Sequence, residues 1–283
     1  MKRIDLHTHT TASDGSYRPE ELVRLASSLG VSAMAITDHD NVSGIDEGIL
    51  AGDKYGVEIV PGIEISVDYN TGTMHMLGYY IDCRDSTLLE KLAFLQSERD
   101  IRNTRIVKRL NDLGMEITYD EVKSIADGQV GRPHFAQILH RKGFVKNFNE
   151  AFDRFLGKGK PAYAEKGRFY PEDAIGLILN TGGIPVLAHP PYLYISDYMD
   201  LKKTISGLKS LGLMGVETYY TTHTRKQTEE LIKISNELDL LITGGSDFHG
   251  EITPKTVIGS GIDNNLNIGY TFLERMKEKQ SYR

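Results

Sequence analysis

Histidine and carboxylate side chains recur together in short motifs along this 283-residue chain. The segment DLHTH contains His7 and His9, and the segment SDFH contains Asp247 and His249. Residues two apart on a β-strand point to the same face, so each pair aims two ligand-type groups at one point. Imidazole and carboxylate together favour Zn, Mn or Fe. A Cys-type structural zinc site is disfavoured because the chain has one cysteine.

Three further candidates follow apolar runs in the same way: His39 in TDHD, Glu64 in PGIE and His189 in AHP. Taken singly, each is more often a core or surface residue than a ligand. As a set with the histidine pairs above, they fall at or near the ends of predicted strands beside acidic partners. The carboxyl ends of barrel strands share one rim, where the active sites of such barrels lie. We therefore predict a site for several metals at that rim.

Along the chain, short apolar runs alternate with amphipathic segments, which predicts βα units and a mostly parallel sheet. These elements would position the candidate ligands. The predicted strands span 3–8, 32–37, 58–67, 73–81, 184–188, 215–220 and 240–244. The predicted helices of this part span 19–29, 44–55, 171–181, 198–211 and 225–238. This rhythm predicts an α/β fold with a closed or nearly closed barrel.

One region, residues 86–168, breaks the rhythm, since it contains helical patterns and loops but no convincing strand. Its predicted helices span 88–114, 119–126, 134–143 and 149–156, and residues 157–161 form a flexible return. The flanks lie between the fourth and fifth predicted strands. We therefore predict a barrel of residues 1–85 and 169–283 that carries a helical, substrate-binding insertion at 86–168.

The composition narrows the class of protein. The chain is 40% hydrophobic and 25% charged, which is typical of a globular protein. A net charge of −6 argues against a general nucleic-acid binder. The single cysteine, Cys83, cannot form an intrachain disulfide, and the sequence shows neither an apolar signal region nor an apolar run near membrane-spanning length. We expect a cytoplasmic protein that does not bind membranes.

The motifs DLHTH, TDHD, PGIE, AHP and SDFH, in this order, resemble those of the PHP (polymerase and histidinol phosphatase) superfamily. The resemblance spans nearly the whole chain and implies a distorted (β/α)7 barrel. The insertion, with GRPHFA at 131–136, resembles the branch that includes nucleoside 3′,5′-bisphosphate phosphatases and 5′→3′ exoribonucleases. The histidinol phosphatase branch lacks this insertion.

The resemblance also implies ligands for two or three divalent metal ions, which would be Mn, Fe or Zn. The implied ligands are His7, His9, Glu64 and Asp247 for the first metal, Glu64, His75 and His189 for the second, and Asp14, His39 and His249 for the third. Glu64 would bridge the first two metals. An Asx turn in the loop SDGS is the alternative explanation for Asp14.

The implied chemistry is attack on a phosphate ester by a hydroxide shared between two metals. Asp38 and Asp40 flank His39, and either could orient a ligand imidazole or carry a proton. Strand packing is the alternative for Asp38. His223 follows the sixth predicted strand, where it could contact substrate or support a ligand.

Phosphate binding is expected from Arg132 and His134, since a guanidinium pairs with phosphate through two hydrogen bonds. Lys160 and Lys166 on the return loop are weaker candidates, because solvated lysines are the default. Insertion-domain structure is the alternative for Arg132 and His134.

A basic stripe recurs at helical spacing on the longest predicted helix. It consists of Arg99, Arg102, Arg105 and Arg109. Such a stripe could follow a polynucleotide backbone, but we interpret it as a solvated face. For Tyr163 and Tyr192, which could stack on a base, we favour packing.

The leading hypothesis is hydrolysis of the 3′-phosphate of a nucleoside 3′,5′-bisphosphate, extending to short RNA from its 5′ end. The partner is then a small phosphorylated nucleotide, and no obligate protein partner is evident. The alternatives are a phosphatase for another metabolite such as histidinol phosphate, an amidohydrolase reaction at the same metals, and a metal-binding accessory module without turnover.

Overall fold

The computed structural model describes residues 2–69, 71–126, 128–165, 167 and 169–281. Within them, seven strands form a single sheet whose spatial order follows the chain from first to last. The strands are β1 Arg3–Asp5, β2 Val31–Ile36, β3 Glu58–Val67, β4 Met74–Tyr79, β5 Ile184–Leu187, β6 Gly215–Tyr220 and β7 Leu241–Gly245. All seven strands match predicted ones, although β1 is shorter than the predicted span 3–8.

The sheet is parallel except at β4, which runs antiparallel to both β3 and β5. A short connection joins β3 to β4, and it reverses the chain direction. The amino-terminal end of β4 therefore lies at the rim where the parallel strands have their carboxyl ends. His75, near the start of β4, pairs with Ser66 near the end of β3.

The two edge strands of the sheet meet, so the barrel is nearly closed. The main-chain nitrogen of Leu6 donates to Gly244 at 3.1 Å, and Thr8 forms a parallel bridge with Phe248. An α/β barrel was predicted from the alternation of apolar runs, and this architecture is confirmed.

Helices pack around the barrel between the strands. They are α1 Pro19–Ser28, α2 Ile45–Tyr55, α3 Ser86–Asp112, α4 Tyr119–Lys123, α5 Arg132–Arg141, α6 Phe148–Ala151, α7 Pro171–Asn180, α8 Tyr198–Ser210, α9 Arg225–Glu237 and α10 Thr271–Ser281. A π-helical turn, Phe152–Leu156, continues α6. Helix α10 was not predicted, because its apolar pattern is sparse. It is fixed by tertiary packing, since Leu273 and Met276 are fully buried against the barrel.

Helices α3 to α6 lie between β4 and β5, as predicted for the insertion. The first half of α3 buries Leu88 and Leu92 in the main core, beside residues of the strands. Its second half buries Ile106 and Leu110 in a separate cluster with Phe135 of α5. Helix α3 thus belongs to two cores, and the division at residues 86–168 stays a prediction. Within the ranges described above, no helix has the length and apolar character needed to cross a membrane.

Candidate metal centre

Nine side chains meet at the rim of the barrel, and we call this set the rim cluster. They are His7, His9, Asp14, His39, Glu64, His75, His189, Asp247 and His249. Three groups have ligand atoms that all lie within 4.8 Å of one another: His7, His9, Glu64 and Asp247; His9, Asp14, His39 and His249; and His39, Glu64 and His75. The residues expected to bind metals therefore come together, although their roles as ligands stay a prediction.

Glu64 lies at the centre of the rim cluster. Its Oε1 is 2.7 Å from Nδ1 of His75 and 3.0 Å from Nε2 of His189. Its Oε2 is 3.4 Å from Nε2 of His7 and 3.3 Å from Nε2 of His9. Oε2 is also 2.9 Å from Nδ1 of His39, so each oxygen of Glu64 faces a different set of imidazoles.

The ends of β1 and β7 hold their ligand-type residues together through main-chain hydrogen bonds. The main-chain nitrogen of Asp247 donates to the carbonyl of His7 at 2.9 Å, and that of His9 donates to the carbonyl of Phe248 at 3.0 Å.

Two residues of the rim cluster, Asp247 and His189, adopt positive φ angles, 55° and 27°. Residues other than glycine rarely adopt such angles, and strain of this kind concentrates at functional sites.

Several buried atoms of the rim cluster have no hydrogen-bond partner among the described residues. They are Nε2 of His7 and His9, Nδ1 of His39 and His189, Oε2 of Glu64, and Oδ1 of Asp14 and Asp247. Leaving a buried polar atom unsatisfied costs about 1–3 kcal/mol. These atoms are nitrogens and oxygens that converge on shared points, so they fit divalent cations, which accept lone pairs from such donors.

Electrostatics within the cluster depend on its mixture of charges. Burial alone would raise the pKa of Glu64, but the neighbouring imidazoles, led by His39 and His75, hold it well below its usual range. Burial opposes charge on His9, yet Asp247 and Glu64 raise its pKa to about 10. Burial lowers the pKa of His75 to about 4. Without cations, the cluster therefore balances its carboxylates with protons on some of its imidazoles.

Two buried carboxylates beside the rim cluster were missed by sequence reasoning. Glu217 accepts from Nδ1 of His7 at 3.0 Å and from the main-chain nitrogen of His189 at 2.8 Å. Asp5 accepts from the main-chain nitrogen and the hydroxyl of Ser246, at 2.9 and 2.6 Å. The available signal was an acidic residue beside apolar residues in a predicted strand, since a charge is rarely buried without a partner.

Asp38 and Asp40 flank His39 but lie in different environments. Asp38 accepts from the main-chain nitrogen of Thr10 at 2.8 Å and from the hydroxyl of Ser13 at 2.5 Å. It therefore holds the loop that carries Asp14. Asp40 is fully buried, and its carboxylate binds Ser66 and Arg99.

A cavity of about 220 Å³ adjoins the rim cluster, and we call it the arginine cavity. Its lining combines Asp14, His39, His75 and His249 with Arg99, Arg102 and Arg132. Arg99 and Arg102 are only 6% and 5% exposed, so the interpretation of the basic stripe as a solvated face is wrong for these two. It holds for Arg105 and Arg109, which are exposed.

The other predicted substrate residues differ in where they lie. Arg132 begins α5 and lines the arginine cavity, with its guanidinium 5.6 Å from the ring centre of Tyr163. His134 is buried, and its Nδ1 accepts from the main-chain nitrogen of Gly131 at 2.9 Å. It lines a neighbouring cavity of about 330 Å³ instead. Lys160 is exposed and is not among the described residues that line the arginine cavity, while Lys166 lies outside the described residues.

His223 is connected to the rim cluster through Tyr220. Its ring centre is 5.1 Å from that of Tyr220, whose hydroxyl donates to Asp247 at 2.7 Å. Nδ1 of His223 donates to the carbonyl of Thr218 at 3.0 Å. Tyr192 packs on His189 with ring centres 4.8 Å apart. His223 therefore lies behind the cluster, and its catalytic role stays a prediction.

A cavity of about 860 Å³ is larger than the arginine cavity but lies elsewhere. It lies between the barrel and the insertion, beside Thr11, Asn41 and Gln129. The described residues that line it include no member of the rim cluster. The size of a cavity therefore does not indicate where the reaction takes place in this protein. The smaller arginine cavity is the better candidate for the substrate-binding site.

The chain is similar to two curated proteins along most of its length. Over 251 residues the chain is 38% identical to a 5′-3′ exoribonuclease of Haemophilus influenzae, covering 88% of this chain and 90% of the relative. Over 251 residues it is 30% identical to a 3′,5′-nucleoside bisphosphate phosphatase of Chromobacterium violaceum, covering 88% of each chain.

Two solved structures share the fold. An amidohydrolase from Chromobacterium violaceum has a TM-score of 0.87 and 28% identity, covering 97% of this chain and 96% of its own. A Bifidobacterium adolescentis protein described as a metal-dependent phosphoesterase has a TM-score of 0.86 and 29% identity, covering 96% and 94%.

The family assignment depends on the PHP domain itself, which matches residues 5–160. This span includes the motifs around His7, His39, Glu64 and His75, together with most of the insertion. The resemblance inferred from the sequence is confirmed: this chain belongs to the PHP domain family.

Proposed function

We propose that this protein is a metal-dependent phosphoesterase that removes the 3′-phosphate of a nucleoside 3′,5′-bisphosphate and also degrades short RNA from its 5′ end. The observation that carries the proposal is that the rim cluster shares a cavity with Arg99, Arg102 and Arg132. One phosphate would react at the cluster while the arginines hold a second phosphate.

The rim cluster would hold two or three cations, and Mn, Fe and Zn all suit its nitrogen and oxygen donors. Glu64, with one oxygen toward His75 and the other toward His7 and His9, is suited to bridge two of them. When bound, such cations lower the pKa of a coordinated water and neutralise charge on phosphoryl oxygens.

The protein's own residues supply binding and orientation. Arg99 and Arg102 are almost fully buried, so water competes little with their contacts to a phosphate. A guanidinium can give two parallel hydrogen bonds to a phosphate, which fixes orientation as well as affinity. A second phosphate held in this way would aim the 3′-phosphate at the rim cluster.

The same arginines discriminate among other substrates. Histidinol phosphate has one phosphate and a cationic amine, which three nearby guanidinium groups would repel. A substrate with a neutral amide would gain little binding energy from the three guanidinium groups, although one structural relative is named an amidohydrolase. The names of the two sequence relatives, a 5′-3′ exoribonuclease and a nucleoside bisphosphate phosphatase, support a nucleotide substrate.

The test is phosphate release by the manganese-loaded protein. Adenosine 3′,5′-bisphosphate would be compared with 3′-AMP, 5′-AMP and histidinol phosphate. We expect the highest kcat/KM for the bisphosphate and slow turnover of 5′-AMP. Preferential turnover of histidinol phosphate would overturn the substrate assignment, and no release from any ester by the metal-loaded protein would overturn the activity.

A further inference from the structure

The buried ion pair between Asp40 and Arg99 connects the barrel rim to the insertion. Nη2 of Arg99 donates to Oδ2 of Asp40 at 2.5 Å, and the side chains are 7% and 0% exposed. A second contact reinforces the first, since Nε2 of Gln96 donates to the main-chain carbonyl of Asp40 at 3.0 Å. Helix α3 thus contacts a single rim residue at both its carboxylate and its main chain.

Asp40 is itself fixed by the barrel. Its main-chain nitrogen donates to the carbonyl of Glu64 at 3.0 Å, and Oδ1 accepts from the main-chain nitrogen of Ser66 at 2.9 Å. Its φ angle is 51°, in the left-handed region that Asp and Asn tolerate better than most residues. The carboxylate is therefore held rigidly before it meets Arg99.

Arg99 faces the arginine cavity with hydrogen-bonding capacity to spare. One terminal nitrogen binds Asp40, while its buried Nε has no hydrogen-bond partner in the part of the chain that the structure describes. A guanidinium with one nitrogen anchored loses less freedom when it binds an anion, which favours affinity.

We propose that Asp40 is a positioning residue that acts through Arg99, and that it does not carry a proton. By fixing the guanidinium against the cavity wall, Asp40 sets the affinity for the phosphate that does not react. The preference for a bisphosphate over a monophosphate thus depends on a barrel residue and an insertion residue together. This inference rests on the proposed function for the identity of the ligand.

The experiment measures binding of 5′-AMP to the manganese-loaded protein by calorimetry, because 5′-AMP carries only the phosphate assigned to the arginines. Asp40→Asn, Arg99→Gln and the double variant would be compared with wild type. We expect each single variant to weaken binding about tenfold, the effect of losing one hydrogen bond to a charged group. The double variant should bind no more weakly than Arg99→Gln, since residues that act as a unit are not additive.

The matched control is Asp46→Asn, because Asp46 forms an exposed ion pair with Arg84 at 3.6 Å. Its 5′-AMP affinity should equal that of wild type. Additive losses in the double variant, or unchanged binding in Asp40→Asn, would overturn the proposal.

Kinetics separate positioning from proton transfer. Asp40→Asn should raise KM for adenosine 3′,5′-bisphosphate more than KM for 3′-AMP, so that selectivity between them falls. An equal loss of kcat on both substrates with unchanged 5′-AMP affinity would assign proton transfer to Asp40 and overturn the proposal.

Two further outcomes are distinguishable. If Asp40→Asn fails to fold, Ser66→Ala removes a 3.2 Å hydrogen bond to Oδ2 of Asp40 and keeps every charge. Ser66→Ala should also weaken 5′-AMP binding, and unchanged binding would count against the proposal.

The failure of the proposed function can be told apart from the failure of this inference. If wild type releases no phosphate from any ester but its 5′-AMP affinity depends on Asp40 and Arg99, the proposed function fails and the positioning role stands.

Discussion

The carboxylate of Glu217 accepts a hydrogen bond from Nδ1 of His7 at 3.0 Å, and both side chains are fully buried. A carboxylate can only accept, so Nδ1 carries a proton and Nε2 is the nitrogen left to bind a cation. Nε2 faces Glu64 and Asp247. Glu217 thus fixes the form of His7 that can bind a cation.

Replacing Glu217 with Gln should weaken manganese binding. The amide removes the charge and brings a donor beside either Nδ1 of His7 or the main-chain nitrogen of His189. We expect affinity to fall about 10–100-fold, as is usual for residues that support metal ligands. Calorimetry on metal-free protein measures the change. Glu229→Gln is the control, because Glu229 is exposed and pairs with Arg225. Equal manganese affinity in both variants would contradict this role.

Manganese affinity should also depend on pH. Burial disfavours a charged His9, but Asp247 and Glu64 raise its pKa to about 10. His9 is therefore protonated at neutral pH and must release that proton when a cation binds. Affinity should rise with pH up to about 10, because each cation bound at His9 must displace the proton of its imidazole.

The proton release can be counted by calorimetry in buffers of different ionisation enthalpy. Glu64 and Asp247 have pKa values well below their usual range, so they do not titrate in this window. An affinity that stays constant from neutral to alkaline pH would be inconsistent with a protonated His9.

Arg102→Ala should raise KM for the bisphosphate, while Arg105→Ala should leave it unchanged. The two residues lie within one turn of α3, but Arg102 lines the arginine cavity and Arg105 is exposed. A hydrogen bond to a charged group contributes about 1.5–3 kcal/mol, which corresponds to about 10–100-fold in KM. Steady-state kinetics on both variants is the measurement. Equal KM values would remove Arg102 from the substrate site.

The separate core of the insertion can be tested by stability. Leu110 is fully buried in that core, and Leu113 near the end of α3 is 45% exposed. Leu110→Ala should lower the free energy of unfolding by about 2–5 kcal/mol. Leu113→Ala should change it by less than about 0.5 kcal/mol.

Denaturant unfolding followed by circular dichroism compares the two leucine variants. A first transition that moves only in Leu110→Ala would indicate that the insertion unfolds on its own. One shared transition would indicate that α3 couples both cores. Identical curves for the two variants would contradict the assigned burial.

The meeting of His7, His9, Asp247 and His249 could be predicted because strand ends share a rim, although all four residues lie just beyond the ends of β1 and β7. The burial of Arg99 and Arg102 at the arginine cavity could not be predicted. Helical spacing shows that residues share a face of the helix, but it does not show what that face contacts. Glu217 was missed for a related reason. A buried carboxylate is recognisable only once its hydrogen-bond donors on other strands are known.

The reversed direction of β4 determines how the arginines reach the rim. Because β4 ends at the far end of the barrel, α3 starts there and must rise beside the strands to meet Asp40. From Ser86 to Gln96 this climb is about 15 Å at 1.5 Å per residue, close to the height of a short strand. The number of residues in that stretch therefore sets both how far along the barrel Arg99 and Arg102 lie and the direction in which their side chains point. Removing one residue there would turn every later side chain by about 100° and take Arg99 and Arg102 off the cavity wall.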